Sequence, residues 1–127
     1  MDSVVHFEIP ADDVERAQKF YSESFGWNIN SIPEMRYTIV STTESDEKTG
    51  APKNPGAING GMLKRQEPVN NVVITVNVDS IEESAKKIEA AGGKIIREKM
   101  PVGDMGFAAY FTDTEGNVVG LWENKKD

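Results

Sequence analysis

One histidine, His6, stands two residues before Glu8 in the opening stretch S-V-V-H-F-E-I. Side chains two apart on a strand share a face, so an imidazole and a carboxylate stand together. Such a pair suits metal-free acid–base catalysis, with the carboxylate orienting the imidazole and raising its pKa. It supplies only two donors toward a metal, whereas a catalytic divalent ion takes about three protein ligands and keeps an open position. Cys is absent and no second His exists. Disulfides, thiolate zinc sites, a Cys nucleophile and multi-histidine metal sites are thereby excluded. Glu123 offers a carboxylate at the far end of the chain. The acidic run Asp113–Asn117, D-T-E-G-N, reads as turn chemistry. Tyr37 and Tyr110 could present phenols as acids or hydrogen-bond donors, but the β propensity of aromatic residues reads each as strand packing. Trp27 reads as a structural aromatic, and Met35 and Met105 as adaptable loop residues. No phosphate loop, HExxH pair or nucleophile elbow is present.

Elements must position these groups. The chain has 127 residues, a length expected of a single domain. Lys and Arg number 14 against 21 Asp and Glu, a formal net charge of −7. That balance argues against nucleic-acid or anionic-membrane partners, which need clustered cations. Apolar runs are too short to span a bilayer, and the N-terminus lacks a basic and apolar leader, so a soluble cytoplasmic protein is expected. Val5, Phe7 and Ile9 alternate with His6 and Glu8, which predicts a half-buried strand. Asp12-x-x-Glu15 opens a helix whose Val14, Ala17, Tyr21 and Phe25 share a face, and Gly26 closes it. Strands follow at 27–31, 37–41 and 57–64, with a polar surface loop at 42–56. A linker at 65–70 precedes a strand at 72–78. Asp79-x-x-Glu82 opens a second helix ending at Gly92-Gly93, followed by strands at 94–98, 107–111 and 118–123 and a charged tail at 124–127.

The order strand–helix–three strands thus occurs twice, at 3–64 and 71–123. An offset of 67 residues places Asp12 on Asp79, Glu15 on Glu82 and Gly26 on Gly93. An offset of 60 places Gly56 on Gly116 and Gly60 on Gly120. The expected fold is α+β: two tandem βαβββ modules forming a curved mixed sheet around a cleft, with helices outside.

The segments VVHFEIPADDVERAQKFYSESFGW (4–27), VDSIEESAKKIEAAGGKI (78–95) and FTDTEGNVVGLWE (111–123) resemble the vicinal oxygen chelate superfamily of glyoxalases, bleomycin-resistance proteins and extradiol dioxygenases. The resemblance implies paired βαβββ modules and frequent homodimers. It also implies, in active members, a divalent metal held by four His, Gln or Glu ligands from the first and last strands of both modules. Here His6 fills the first position. The offsets put Gly60 in the second, Val73 in the third and Gly120 in the fourth. One position of four holds a ligand type, so no metal or other cofactor is expected. A one-residue slip on the last strand would instead bring in Glu123.

Strand alternation places Val4, His6 and Glu8, Ile58, Gly60 and Met62, Val73, Thr75 and Asn77, and Val118, Gly120 and Trp122 on the cleft side. Such walls are mostly apolar with a few polar groups, the usual make-up of a small-molecule site; equally, they would pack a cleft shut. Three readings remain open. The first is binding of a small, partly apolar molecule without a metal, with His6, Ile58, Gly60, Met62, Val73, Thr75, Gly120 and Trp122 as contacts. The second is a metal-dependent lyase or isomerase of the lactoylglutathione-lyase kind. The third is metal-free acid–base catalysis by His6 and Glu8.

Overall fold

A computed structural model describes residues 1–126; the last residue of the expected tail, Asp127, lies outside the described residues. Its contacts divide the chain into two compact units, one of His6–Val72 and one of Met1–Val5 with Val73 onward. Both mix helix and strand, so the chain is α+β.

The first unit contains β1 (Val4–Ala11, its first two residues counted with the other unit), α1 (Val14–Phe25), β2 (Asn28–Ile32), β3 (Tyr37–Ser41) and β4 (Gly60–Lys64). β1 runs parallel to β4, with Glu8 beside Gly61 and Ile9 beside Met62. β3 joins β4 and β2 antiparallel. Alternation sends Phe7, Ile9 and Ala11 to the side covered by α1, where they meet Ile29, Val40 and the fully buried Met62. Val14, Ala17 and Tyr21 supply the helix side of this core, as the helical spacing predicts. Tyr21 stacks on Trp27, their ring centroids 5.1 Å apart. Gly26 ends α1 at φ 71°, a conformation that needs its missing side chain.

The expected helix starts are displaced by one residue. Asp13, not Asp12, accepts the N–H of Arg16, and Ser80, not Asp79, accepts that of Glu83. Asp12 pairs instead with Arg65, 2.9 Å away. The 65–70 stretch is a folded turn: Arg65 N–H donates to Ala11, Gln66 bridges Val69, and Val69 is buried. The expected loop is anchored by one carboxamide. Asn59 Oδ1 accepts from the backbone N–H groups of Thr42 at 2.8 Å and Thr43 at 3.1 Å, and Asn59 Nδ2 donates to Ser45 Oγ.

The second unit contains β5 (Val73–Asn77), α2 (Ile81–Ala90), β6 (Lys94–Val102), β7 (Gly106–Thr112) and β8 (Val118–Asn124). β5 runs parallel to β8, with Thr75 beside Gly120, and β7 joins β8 and β6 antiparallel. Its core under α2 is Val78, Ile81, Ala109 and Leu121 with Val76, Ile88, Phe107 and Phe111. The Asp113–Asn117 segment is the turn that its composition predicts: Asp113 Oδ1 accepts the N–H groups of Glu115 and Asn117. Among the described residues no helix is long and apolar enough to cross a membrane.

Glu123 ties β8 to the start of α2. Its Oε1 accepts the Ile81 N–H at 2.7 Å and its Oε2 lies 3.2 Å from Lys99 Nζ, which also sits over the Phe107 ring. The backbone bond from Ile81 and then Lys99 hold the Glu123 carboxyl below its ordinary pKa, against the opposing effect of burial. A depressed carboxylate stabilises the fold above its unfolded pKa, about 4.3, and that contribution is lost as pH falls through the folded value. Glu123→Ala leaves the helix N–H without this acceptor and is expected to cost about 2 kcal/mol, and Glu123→Gln about 1 kcal/mol. Urea midpoints of the two variants measure this, and the wild-type advantage over Glu123→Gln shrinks as pH falls from 5 toward 3.

Candidate functional site

Each unit has one face covered by its helix and one that is not. In the first unit the face away from α1 carries His6 and Glu8 from β1, Gly61 from β4, and Tyr37 and Ile39 from β3. His6 Nε2 lies 2.8 Å from Tyr37 Oη, with the two rings nearly parallel. Glu8 is only 6% exposed. Gly61 makes the arrangement possible: a Cβ there would overlap the Tyr37 hydroxyl and ring. Bare backbone therefore lets the phenol cross β4 to reach β1.

Burial holds the His6 imidazole below its usual pKa, and the nearby Glu8 carboxylate only partly offsets this. The expectation from the sequence was a raised value; desolvation wins because the imidazole is half-buried in the strand face. His6 is thus a neutral hydrogen-bonding group at neutral pH.

In the second unit the face away from α2 carries Val73, Thr75 and Asn77 from β5, Gly120 and Trp122 from β8, and Tyr110 from β7. Gly120 lies under Thr75: a Cβ there would come 2.7 Å from Thr75 Oγ1. Trp122 packs against Gly106 and donates from Nε1 to Asn124. The buried Asn77 Oδ1 has no hydrogen-bond partner among the described residues. On the helix side, a groove of about 320 Å³ between α2 and β6 is rimmed by Glu82, Glu89 and Glu98.

Several expected contacts move to the other face. Met62 is fully buried in the core under α1, and Gly60 sits under Phe7, whose ring a Cβ would meet at 2.6 Å. The strand residue beside Glu8 is Gly61. Ile58 precedes β4, and its carbonyl accepts from Thr42 Oγ1. The reason is register. Glu8 with Gly61 in one unit matches Thr75 with Gly120 in the other, so the last strands correspond at an offset of 59, not 60. A shift of one residue exchanges the two faces. Glu123 is committed to α2 on the helix side, so no slip brings it beside Gly120. The sequence reads Tyr37 as strand packing, whereas its hydroxyl meets His6. A readable clue was the Gly60-Gly61 pair, since adjacent glycines in a strand mark close approach by a neighbour.

The residues do not fit the four-ligand metal set that the resemblance implies. The first unit offers His6 with Gly61 where the second donor would stand, and the second unit offers Val73 and Gly120. Neither glycine position has room for a carboxylate while Tyr37 and Thr75 lie over it. Among the described residues no group of three His, Asp or Glu side chains converges.

Comparison with known proteins agrees with the fold. Residues 3–43 match the family described as bleomycin resistance protein-like N-terminal. A glyoxylase-like domain-containing protein of Didymella fabae is 32% identical over 87% of this chain and 84% of its own length. The chain belongs to the vicinal oxygen chelate superfamily, with the glyoxalases and bleomycin-resistance proteins. A probable lactoylglutathione lyase of Vibrio parahaemolyticus is 29% identical, covering 97% of this chain and 91% of that protein. A putative glyoxylase of Mycobacterium tuberculosis is 28% identical over 91% of this chain, which spans 43% of that protein's length. A hypothetical protein from Bacillus halodurans shares the fold with a TM-score of 0.66 at 16% identity, over 99% of this chain and 96% of that one.

The lowered His6 pKa has a measurable consequence. The unfolded chain binds a proton near pH 6.5 that the folded chain resists, so stability falls as pH drops below about 6.5. As the sole histidine, His6 gives one imidazole Cε1–H resonance. Its NMR titration is expected to show a midpoint below 6.5, and a midpoint above 7 would contradict the burial argument.

Proposed function

We propose that this glyoxalase-like protein binds a small, partly apolar molecule through the helix-free faces of its units, without a catalytic metal. The observation that supports this best is the occupation of the would-be donor positions: Tyr37 lies over Gly61 and Thr75 over Gly120. Those faces keep a few polar groups (His6, Glu8 and Tyr37 on one, Thr75 on the other) beside apolar residues such as Ile39, Val73 and Trp122. This mixture suits a small organic ligand. The reading includes a homodimer in solution, which sedimentation would detect.

Its test is quenching of tryptophan emission by a panel of small carbonyl, aromatic and amine metabolites. At least one saturable quencher is expected, with affinity retained after exhaustive chelation. If every member fails to quench and to shift the NMR spectrum, the binding reading falls.

The similarity to a probable lactoylglutathione lyase over 97% of the chain favours a second reading, a lyase or isomerase. In its metal-dependent form, purified protein would carry close to one nickel or zinc per chain, as catalytic sites are normally occupied. In its metal-free form, His6 and Glu8 would move the proton, and His6→Ala would abolish turnover. A chain below about half an equivalent of metal, with no turnover of a thiol–oxoaldehyde adduct, removes both forms.

A further inference from the structure

Two large apolar side chains of α1 face solvent: Phe20 is 58% exposed and Phe25 62% exposed. Both touch the half-buried Tyr21, Phe20 edge-on with centroids 5.1 Å apart and Phe25 at 6.2 Å. Tyr21 is stacked in turn on Trp27, so four rings form one continuous aromatic surface. A lone exposed apolar residue is ordinary, but a contiguous patch marks a place where something docks. Across this patch α1 turns an outward ridge of Arg16, Phe20 and Glu23, all exposed and spaced as neighbours on successive turns. From the start of the helix to its end the ridge reads cation, ring, carboxylate. None of the ion pairs among the described residues uses Arg16 or Glu23.

We propose that two copies of the chain pair through this ridge, their α1 helices antiparallel across a two-fold axis beside Phe20. Phe20 then meets the partner's Phe20, and Arg16 of each copy meets the partner's Glu23. This rests on the homodimer in the reading above and names its surface. A two-fold axis brings the same patch of both copies together, so residue i meets j and j meets i. Reversing the order cation, ring, carboxylate sets unlike charges together at both ends and ring against ring between them. A parallel pairing would set Arg16 against the partner's Arg16, which repels. A membrane is a poor occupant, because Arg16 and Lys19 are matched by Glu15 and Glu23, whereas a helix lying on anionic lipid carries a cationic face. The ridge is small beside a standard interface of about 800 Å² per partner, so the dimer is expected to be a weak, micromolar one. α1 covers the face of its unit opposite His6, so pairing leaves the His6 face open to ligand.

Charge reversal tests the pairing, read by sedimentation velocity of the full chain over a concentration series. Arg16→Glu sets a carboxylate against the partner's Glu23 at both ends, and Glu23→Arg sets a cation against the partner's Arg16. Each is expected to weaken the dimer about tenfold. The chain carrying both substitutions restores the order in reverse and should dimerise like wild type. An equimolar mixture of the two single variants should form a mixed dimer that neither forms alone. Phe20→Ala removes the central ring and is expected to weaken the dimer about tenfold. All three residues are exposed, and circular dichroism establishes that the variants are folded. Damage to the fold would not be repaired by a second charge change. The assignment is overturned if the dimer survives Phe20→Ala and both single reversals, or if the double reversal fails to restore what the singles remove. Either result leaves the homodimer standing with its interface elsewhere. A wild-type chain that stays monomeric at millimolar concentration overturns the assignment and the homodimer together, while ligand quenching of tryptophan answers separately for the binding reading.

Discussion

A side chain can cross the strand next to it only where that strand offers bare backbone, and this constraint shapes both helix-free faces. On the first unit Gly61 admits the Tyr37 ring, which brings a phenol from β3 to an imidazole on β1. On the second, Gly120 admits Thr75. Restoring a carboxylate at either glycine would require the occupant to leave. The glycine that offers no donor is therefore also what admits the neighbouring side chain. In the first unit this places a phenol and an imidazole beside Glu8, whereas in the second it places a hydroxyl among Val73, Gly120 and Trp122.

The two units have the same element order and pairing pattern, yet their helices are anchored differently. α2 begins on a carboxylate from β8, Glu123, whose other oxygen is shared with Lys99. α1 begins on its own cap, Asp13, while the adjacent Asp12 is held by Arg65 just beyond β4. Each arrangement ties the last strand or its exit to the first turn of the helix, once through a buried carboxylate and once through an exposed ion pair. The buried version carries more of the stability, because an exposed pair contributes about 0–1 kcal/mol.

Element order was legible because its signals are local and repeated: alternation around His6, helical spacing from Val14 to Tyr21, and glycine after each helix. The face of β4 was not. Gly60 and Gly61 have no side chains, so that stretch has no alternation from which to read a phase. Matching Gly60 to Gly120 by residue identity gave an offset one residue too long, and with a period of two this transferred Met62 from core to cleft. The helix caps slipped for a related reason: adjacent Asp12-Asp13 and Asp79-Ser80 each offer two acceptable caps, and only backbone geometry decides between them. On β5 and β8 the offset of 67 and the position after the Asp113–Asn117 turn put Val73, Thr75, Gly120 and Trp122 on one strand face, the one away from α2. The His6–Tyr37 bond joins residues 31 apart on non-adjacent strands, a relation that no local spacing encodes.

Asn59 has a consequence for how the chain tolerates change. Its carboxamide gathers Thr42, Thr43 and Ser45, so the two ends of the long surface excursion are clasped at the base. The residues between form a ring with its own Ser45–Pro52 bridge and Glu44–Lys53 contact. Lengthening such a ring costs little, since closure entropy grows only with the logarithm of its size. The excursion is therefore a region where insertions and deletions can accumulate, or where a foreign peptide can be grafted, while β3 and β4 keep their register and Tyr37 stays over Gly61.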